Sequence, residues 1–128
     1  MKIKEIMTRS PVTIEADRTI RDASIIMAQM KLGCLMVSRG KEIVGILEES
    51  NIIRNGLAED LNPFNTRIAQ VMSAPWIIDE ECSDDEASQM MGQYHVRHLA
   101  VTSKTKIAGI ISMLDLIRPI YSGKSFWA

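Results

Sequence analysis

A serine and an aspartate stand three residues apart near the end of the chain, in the stretch GIISMLD at residues 109–115. The apolar run predicts a strand, so Ser112 lies where the strand ends and Asp115 lies at the start of the following helix. A hydroxyl and a carboxylate at this spacing can hydrogen-bond a polar ligand. They can equally cap the helix N-terminus, where serine and aspartate are favoured.

The same frame occurs once more, as GILEESN at residues 45–51, with different polar residues. Glu48 replaces the serine and Asn51 replaces the aspartate. Glu48 carries a negative charge where the other copy has a neutral hydroxyl, and Asn51 is a weaker acceptor than a carboxylate. We therefore expect a duplicated structural frame whose polar residues have specialised.

Two basic side chains lie just before a predicted strand, in YHVRHLAV at residues 94–101. Arg97 offers a forked donor suited to phosphate, although many surface arginines are merely solvated. His98 is either a second ligand contact or a half-buried strand residue. The matching residues of the other copy are Gly33 and Cys34, which offer no charge.

The residue patterns of common catalytic sites are missing from the sequence. No Ser-His-Asp or Cys-His arrangement stands on a nucleophile turn, and neither a P-loop nor a GxGxxG motif occurs. Cys34, Cys82, His95 and His98 lack the spacing of zinc ligands. We therefore expect no enzyme, no metal site and no required cofactor, and we expect both cysteines to be small buried hydrophobic residues.

The chain consists of two copies of one sequence unit. A shift of 64 places residues 11–53 on residues 75–117, with 12 identities in 43 positions. Loop-forming residues lie between the copies. We therefore expect two domains, residues 1–60 and residues 61–128.

The match continues into the ten residues before Pro11 and before Pro75, which we call the leaders. Here the shift is 65, which a single deletion explains. The aligned apolar residues are Ile3, Ile6 and Met7 in one leader and Ile68, Val71 and Met72 in the other.

Each copy reads as β-α-β-β-α. The capping boxes Thr19–Asp22 and Ser83–Glu86 start a helix in each copy, and two strands and a final helix follow. A unit of about 60 residues is marginal alone, so two copies are expected to cover each other. The predicted fold class is mixed α/β (α+β), with two pseudo-twofold-related units packed through their sheets.

Composition restricts the partners of the protein. With Lys+Arg 15 and Asp+Glu 16, the net charge is −1, which argues against nucleic acid. No apolar run is long enough to span a membrane, and MKIKEIM lacks the hydrophobic core of an export signal. We expect a cytoplasmic protein with no nucleic-acid and no membrane partner.

The duplicated β-α-β-β-α pattern, with each copy ending in Gly-aliphatic-aliphatic-polar-x-x-Asp/Asn, resembles the tandem CBS-domain pair, also called the Bateman module. The resemblance covers about residues 3–121 and rests on the double occurrence of the frame at the right spacing. It implies a stand-alone regulatory module that binds an adenosine-containing ligand between the units. AMP, ADP or ATP is expected first, and S-adenosylmethionine or NAD second. Binding would change the module's shape and regulate a partner protein that the sequence does not identify.

The resemblance also implies roles for individual residues. Asp115 would bind the ribose hydroxyls, Ser112 would bind phosphate at the helix N-terminus, and Arg97 and His98 would turn towards the phosphates. The rest of this cleft would come from the other copy, with Ile14 and Leu32 against the adenine. The matching positions there are Thr13, Ile14, Arg18, Ala23 and Leu32.

A second, weaker cleft would contain Glu48 and Asn51. Glu48 would repel phosphate, and the copy-two segment contributing to this cleft, DEECSDDE at residues 79–86, is strongly acidic. This cleft is expected to be empty, or to take an uncharged nucleoside or a cation.

A different class of function stays open, in which the protein is a ligand-free scaffold for dimerisation or protein interaction. A homodimer is expected under both hypotheses, through the last helices and helix faces that carry methionines. The tail at residues 122–128 is expected to be poorly ordered unless Phe126 and Trp127 dock. The methionines are Met27, Met30, Met90 and Met91.

Overall fold

The computed structural model describes residues 1–121 of the chain, with side chains as far as Ile117. The expected tail with Phe126 and Trp127 lies outside the described residues. The contacts divide the chain into two compact units. The first-copy unit comprises Val12–Ala74, and the second-copy unit comprises Met1–Pro11 together with the chain from Pro75 onward.

The strands of the first-copy unit are β2 Thr13–Glu15, β3 Cys34–Arg39 and β4 Glu42–Glu48, and its α-helices are α1 Ile20–Met30, α2 Glu49–Asn55 and α3 Ile68–Val71. The strands form one sheet in the order β2-β3-β4. Strand β2 is parallel to β3, β3 is antiparallel to β4, and a bulge lies between Val37 and Ser38.

The strands of the second-copy unit are β1 Thr8–Arg9, β5 Ile77–Asp79, β6 His98–Ser103 and β7 Lys106–Ser112, and its α-helices are α4 Asp84–Tyr94 and α5 Met113–Tyr121. The strands form one sheet in the order β1-β7-β6-β5. Strand β5 is parallel to β6, whereas β7 is antiparallel to both β6 and β1. The predicted mixed α/β (α+β) class with two repeated units is thus confirmed.

Both predicted capping boxes start a helix. The Thr19 hydroxyl accepts a hydrogen bond from the Asp22 amide at 3.1 Å, and the Asp22 carboxylate accepts one from the Thr19 amide at 3.1 Å. Ser83 and Glu86 exchange the same two bonds at 3.1 and 3.0 Å. Two otherwise unsatisfied amides at each helix start are therefore paired within four residues of sequence.

Equivalent residues form the two cores. In each unit the core lies between the sheet and the helix α1 or α4. Met27 and Met91 belong to these cores, because each lies one helical turn after a core alanine and therefore on the same helix face. The prediction that Met27 and Met91 lie on an association face is therefore wrong, since they are only 5% and 2% exposed. Met90 is partly buried, whereas Met30 is 53% exposed.

The close approach of the leaders accounts for the glycines Gly45 and Gly109 of the repeated motif. The second leader pairs with β4 through two backbone bonds between Ser73 and Ile46, and β1 of the first leader pairs with β7. A Cβ on Gly109 would lie 2.4 Å from the Thr8 carbonyl oxygen, and one on Gly45 would lie 2.6 Å from the Met72 sulfur. The crossing therefore requires glycine at position 109, where the added Cβ meets the leader backbone, whereas at position 45 it first displaces the Met72 side chain.

Each leader therefore packs on the sheet of the other copy. Ile3 and Ile6 of the first leader lie in the core of the second-copy unit, and Ile68 and Val71 of the second leader lie in the first-copy core. The compact units consequently differ from the division at residue 60 that the repeat suggested.

Candidate functional site

Ser112 and Asp115 occupy the junction between β7 and α5. The Ser112 amide donates to the Asp115 carboxylate at 2.8 Å, and the Asp115 amide donates to the Ser112 hydroxyl at 3.2 Å. The side chains are buried, with 1% and 0% of each residue exposed. Ser112 and Asp115 therefore cap the start of α5, as one of the two sequence-based interpretations predicted. Any ligand would have to bind to side chains that also form this cap.

Arg97 and His98 lie beside this junction. His98 stands opposite Ser112 in the β6–β7 register and is buried. The Arg97 carbonyl accepts a hydrogen bond from the Met113 amide at 2.9 Å, while the residue itself is exposed. The structure thus brings four predicted site residues together in one unit. We call Arg97, His98, Ser112 and Asp115 the Asp115 corner.

The first-copy unit contains the equivalent junction between β4 and α2. The Glu48 amide donates to the Asn51 side-chain oxygen at 2.7 Å, and the Asn51 side-chain nitrogen donates to the Ser73 hydroxyl at 2.8 Å. Cys34 stands opposite Glu48 in the β3–β4 register. We call Gly33, Cys34, Glu48 and Asn51 the Asn51 corner.

Sequence reasoning missed the bond from Asn51 to Ser73. Ser73 belongs to the second leader, and only the fold places that leader across β4. No local signal indicates such a pair, because 22 residues separate the two side chains.

The two corners differ in electrostatics. Burial, and then the charges of Glu48 and Glu49, raise the pKa of the Cys34 thiol far above its usual range. The same positions of the Asp115 corner hold His98, Ser112 and Met113, with Arg97 beside them. The Asn51 corner, which has two glutamates and no basic residue, is therefore the less favourable of the two for an anionic ligand.

The acidic segment at residues 79–86 is partly neutralised by the first leader. Glu81 accepts hydrogen bonds from the amines of Lys4 at 2.8 Å and Lys2 at 3.1 Å, and Arg9 lies 3.8 Å from Glu80. These bonds, from Lys4 foremost, hold the pKa of Glu81 below its usual range. The expected repulsion of phosphate by this segment is therefore weaker than its sequence suggests.

The residues expected to complete the Asp115 cleft all belong to the first-copy unit. Ile14 and Ala23 are core residues, which leaves their backbone groups for a ligand. Arg18 is exposed and donates to Asp22 at 3.2 Å. Thr13 is exposed and Leu32 is half-buried. Their assembly with Asp115 into one cleft stays a prediction.

A groove of about 240 Å³ lies in the first-copy unit where α1 and α2 meet. We call it the α1–α2 groove, and the sequence did not predict it. Its lining includes the apolar side chains of Met27, Leu32, Ile52 and Ile53, with Ser24 and Glu49 as polar members.

The residues that the structure describes contain no group of three or more His, Cys, Asp or Glu side chains placed to hold a metal ion. None of their helices is long and apolar enough to cross a membrane.

Known proteins share this sequence pattern and this fold. The family model described as CBS domain matches residues 3–57 and again residues 68–122. The CBS domain-containing protein YhcV of Bacillus subtilis is 27% identical over 115 residues, which cover 89% of this chain and 81% of that protein.

Solved structures agree with the sequence matches. A protein with CBS domains from Burkholderia ambifaria superimposes with a TM-score of 0.88 at 26% identity, covering 98% of each chain. A CBS domain protein from Pyrobaculum aerophilum, solved in complex with AMP, gives a TM-score of 0.80. That match covers 90% of this chain and 89% of the other at 22% identity, so it shows the fold alone.

Proposed function

Because this chain belongs to the CBS-domain family, with two matches to the family model, we propose that it is a regulatory module that senses an adenosine-containing ligand. The ligand binds at the Asp115 corner. Binding shifts the balance between two conformations, which it can do only through a difference in affinity for them.

The observation that carries the proposal is the juxtaposition of a carboxylate, a hydroxyl and two basic residues at the Asp115 corner. A carboxylate has two oxygens with about four acceptor sites, and the helix cap accounts for one hydrogen bond to Asp115. The cap bond alone therefore does not exclude ribose binding by Asp115. Arg97 is exposed on the neighbouring segment, where its guanidinium can reach a phosphate.

The remaining ligand contacts are proposed to come from the first-copy unit. Leu32 is half-buried and offers an apolar contact for adenine, and Thr13 and Arg18 are exposed polar residues. Ile14 and Ala23 would contribute through the backbone, because their side chains are in the core.

One nucleotide per chain is proposed, because the Asn51 corner is unsuited to a second. The Asn51 side chain already bonds the Glu48 amide and the Ser73 hydroxyl. Glu48 and Glu49 add negative charge nearby. AMP, ADP or ATP is the first choice of ligand, supported by the AMP in the Pyrobaculum protein. S-adenosylmethionine and NAD are the other candidates, and the module is proposed to act as a homodimer.

The test is thermal melting of the purified protein against AMP, ADP, ATP, S-adenosylmethionine and NAD, with and without magnesium. A ligand that binds only the folded state stabilises it by about 2.7 kcal/mol at a hundredfold excess over its dissociation constant. We expect one ligand to raise the melting midpoint clearly, and Asp115→Asn to abolish that rise.

Asp115→Asn is chosen because its side-chain oxygen can still accept from the Ser112 amide, so the helix cap survives. The matched control is Asn51→Asp, which we expect to leave the ligand-induced rise unchanged. An unchanged rise in Asp115→Asn would contradict the assignment of the site. If no ligand raises the midpoint, the sensor proposal fails and the ligand-free scaffold is favoured.

A further inference from the structure

An exposed phenylalanine lies between the first sequence copy and the second leader. Phe64 is 68% exposed, the highest value among the large apolar side chains that the structure describes. It is the third residue of a hydrogen-bonded turn, in which the Asn65 amide donates to the Asn62 carbonyl at 3.2 Å. The sequence favours this turn, because asparagine stands first and proline second. We call residues 62–66 the Phe64 turn.

Further hydrogen bonds fix the backbone of the Phe64 turn. The Phe64 amide donates to the Asn62 side-chain oxygen at 2.9 Å. The Thr66 amide and hydroxyl both donate to the Asn62 carbonyl, at 3.0 and 2.7 Å. The backbone that carries the Phe64 ring is therefore ordered without any partner.

The Phe64 turn is also attached to the first turn of α1. The Ile20 amide donates to the Thr66 carbonyl at 3.0 Å, and the Arg21 amide donates to the Pro63 carbonyl at 3.1 Å. Ile20 and Thr66 are both buried. None of these bonds uses the side chain of Phe64, so the attachment of the turn does not account for an aromatic residue at its most exposed position.

The side chain of Arg21 lies against the Phe64 ring. Its guanidinium carbon is 4.9 Å from the ring centroid, which is within the range of a cation–π contact. Arg21 is exposed and forms no ion pair among the described residues. The two side chains thus present an apolar ring and a positive charge side by side.

Phe64 differs from the other two exposed aromatic side chains that the structure describes. Trp76 and Tyr94 stack on each other, with ring centroids 3.9 Å apart and an interplanar angle of 12°. Each of these rings has an aromatic neighbour in the chain, whereas Phe64 has the Arg21 guanidinium. Phe64 is therefore the better candidate for a contact outside the chain.

We propose that the Phe64 turn is a docking site for another protein, which takes the Phe64 ring into an apolar pocket and pairs Arg21 with a carboxylate at the rim of that pocket. Aromatic side chains and arginine are enriched among interface residues. The fixed backbone of the turn lowers the entropic cost of ordering the contact. A negative rim is the complement of Arg21, which has no ion-pair partner among the described residues.

The local charges disfavour a lipid surface and nucleic acid as the occupant. An anionic membrane would favour a cluster of cations around the ring. Residues 54–67 instead balance two arginines against Glu59 and Asp60. Nucleic acid would need a basic excess, and the chain has a net charge of −1. A pocket with one or two carboxylates needs only the single charge of Arg21.

The first experiment tests whether the Phe64 ring is needed for folding. We expect Phe64→Ala to leave the thermal melting midpoint within about 2 °C of wild type. Thr66→Val is the matched control, because it removes a hydroxyl bond inside the same turn and should lower the midpoint by about 4 °C or more. A loss in Phe64→Ala as large as in Thr66→Val would assign the ring to the fold and overturn the proposal.

The second experiment identifies the partner by photo-cross-linking. Phe64 is replaced by the photoreactive residue p-benzoylphenylalanine, and the protein is irradiated in cells of the organism that encodes it. The same replacement at Met30, which is 53% exposed at the other end of α1, is the control. We expect a protein adduct from position 64 that position 30 does not give. No adduct, an adduct with lipid, or an adduct with a second copy of this chain would each overturn the proposal.

The third experiment measures the contact with the purified adduct partner, without nucleotide. We expect Phe64→Ala and Arg21→Ala each to raise the dissociation constant by at least about tenfold, with Met30→Ala unchanged. We also expect Arg21→Lys to retain part of the affinity, because it keeps the charge. An unchanged dissociation constant in Phe64→Ala overturns the proposal. Because no nucleotide is present, this failure is distinct from failure of the proposed function.

Discussion

The Asp115 corner and the Asn51 corner share one backbone arrangement and differ in their side chains. In both, the first amide of the helix that follows the strand donates to a backbone carbonyl. The Met113 amide of α5 donates to Arg97 at 2.9 Å, and the Glu49 amide of α2 donates to Gly33 at 3.1 Å. In both, a side-chain oxygen of the third helical residue accepts a hydrogen bond from the last amide of the strand. Asp115 accepts from Ser112 at 2.8 Å, and Asn51 accepts from Glu48 at 2.7 Å.

The comparison shows that the backbone arrangement of a corner can be kept while the charges of its side chains change. Both copies keep the glycine at the leader crossing and, from Asp115 or Asn51, a side-chain oxygen that accepts from the amide at the strand end. The residues around them can change, and the Asn51 corner now carries glutamates and a side-chain bond to a leader.

The largest expected effect is at the leader crossings. We expect Gly109→Ala to lower the free energy of unfolding by about 2–3 kcal/mol, because the added Cβ meets the backbone oxygen of Thr8. Gly45→Ala meets first the flexible Met72 side chain, so its cost is expected to be smaller, at about 1 kcal/mol. Urea unfolding of both variants gives the comparison.

Gly92→Ala is the matched control for these substitutions. A Cβ there meets nothing within 4 Å, and the residue lies inside α4. It is expected to stabilise the protein by about 0.5–1 kcal/mol through helix propensity. A loss at Gly45→Ala as large as that at Gly109→Ala would contradict the difference in how the two leaders cross.

The next effect concerns the bond from the Asn51 corner to its leader. We expect Asn51→Ala to destabilise the protein by about 1–2 kcal/mol, since the part-buried Glu48 amide and the Ser73 hydroxyl each lose a partner. Ser73→Ala removes only one of these bonds and should cost less. A double-mutant cycle between Asn51 and Ser73, read by urea unfolding, isolates their coupling. Strict additivity would mean that this side-chain bond does not stabilise the leader.

A smaller loss of stability is expected at the two capping boxes, and it is expected to be equal for the two boxes. Thr19→Ala and Ser83→Ala each remove one side-chain acceptor from the start of a helix, which costs about 1 kcal/mol. Because the two caps have the same geometry, the two losses are expected to agree within about 0.5 kcal/mol, a typical error of such comparisons. A clear inequality in urea unfolding would show that the two copies differ in stability at their first helices as well as in chemistry.

Local sequence signals predicted the parts of the fold that depend on neighbouring residues. Thr19 and Asp22 are three residues apart, so their capping box could be recognised before any fold was known. The alternation of the strands and the repeat at a shift of 64 likewise gave the order of the elements. The capping alternative for Ser112 and Asp115 was available for the same reason.

Contacts between distant segments could not be predicted in this way. The repeat showed that the leaders match each other, but it did not show that each lies on the other copy's sheet, which depends on pairs such as Thr8 with Ile110. The bond from Asn51 to Ser73 and the α1–α2 groove follow from that packing. Met27 and Met91 show a related error, since exposure cannot be read from residue type when the helix face is not yet fixed.

The smallest expected effect concerns the ion pairs of the first leader, which are exposed to solvent. Lys4 and Lys2 hold the pKa of Glu81 below its usual range, and Glu81 raises the pKa of Lys4. A lowered acid pKa stabilises the folded state above the unfolded pKa and stops doing so as pH falls through the folded value. A raised lysine pKa stabilises it below the unfolded pKa until pH rises through the folded value. The contribution is therefore complete between about pH 5 and pH 10 and is lost outside that range.

We expect Glu81→Gln to lower the melting midpoint slightly at low salt and pH 7, with the difference from wild type shrinking at high salt, because exposed pairs are screened. Asp17→Asn is the matched change in the first copy, where Arg67 donates instead to the Asp17 backbone carbonyl and that bond survives. The salt-dependent difference is thus expected for Glu81→Gln alone. An equal response in Asp17→Asn would mean that overall charge, and not the attachment of the first leader, accounts for the effect.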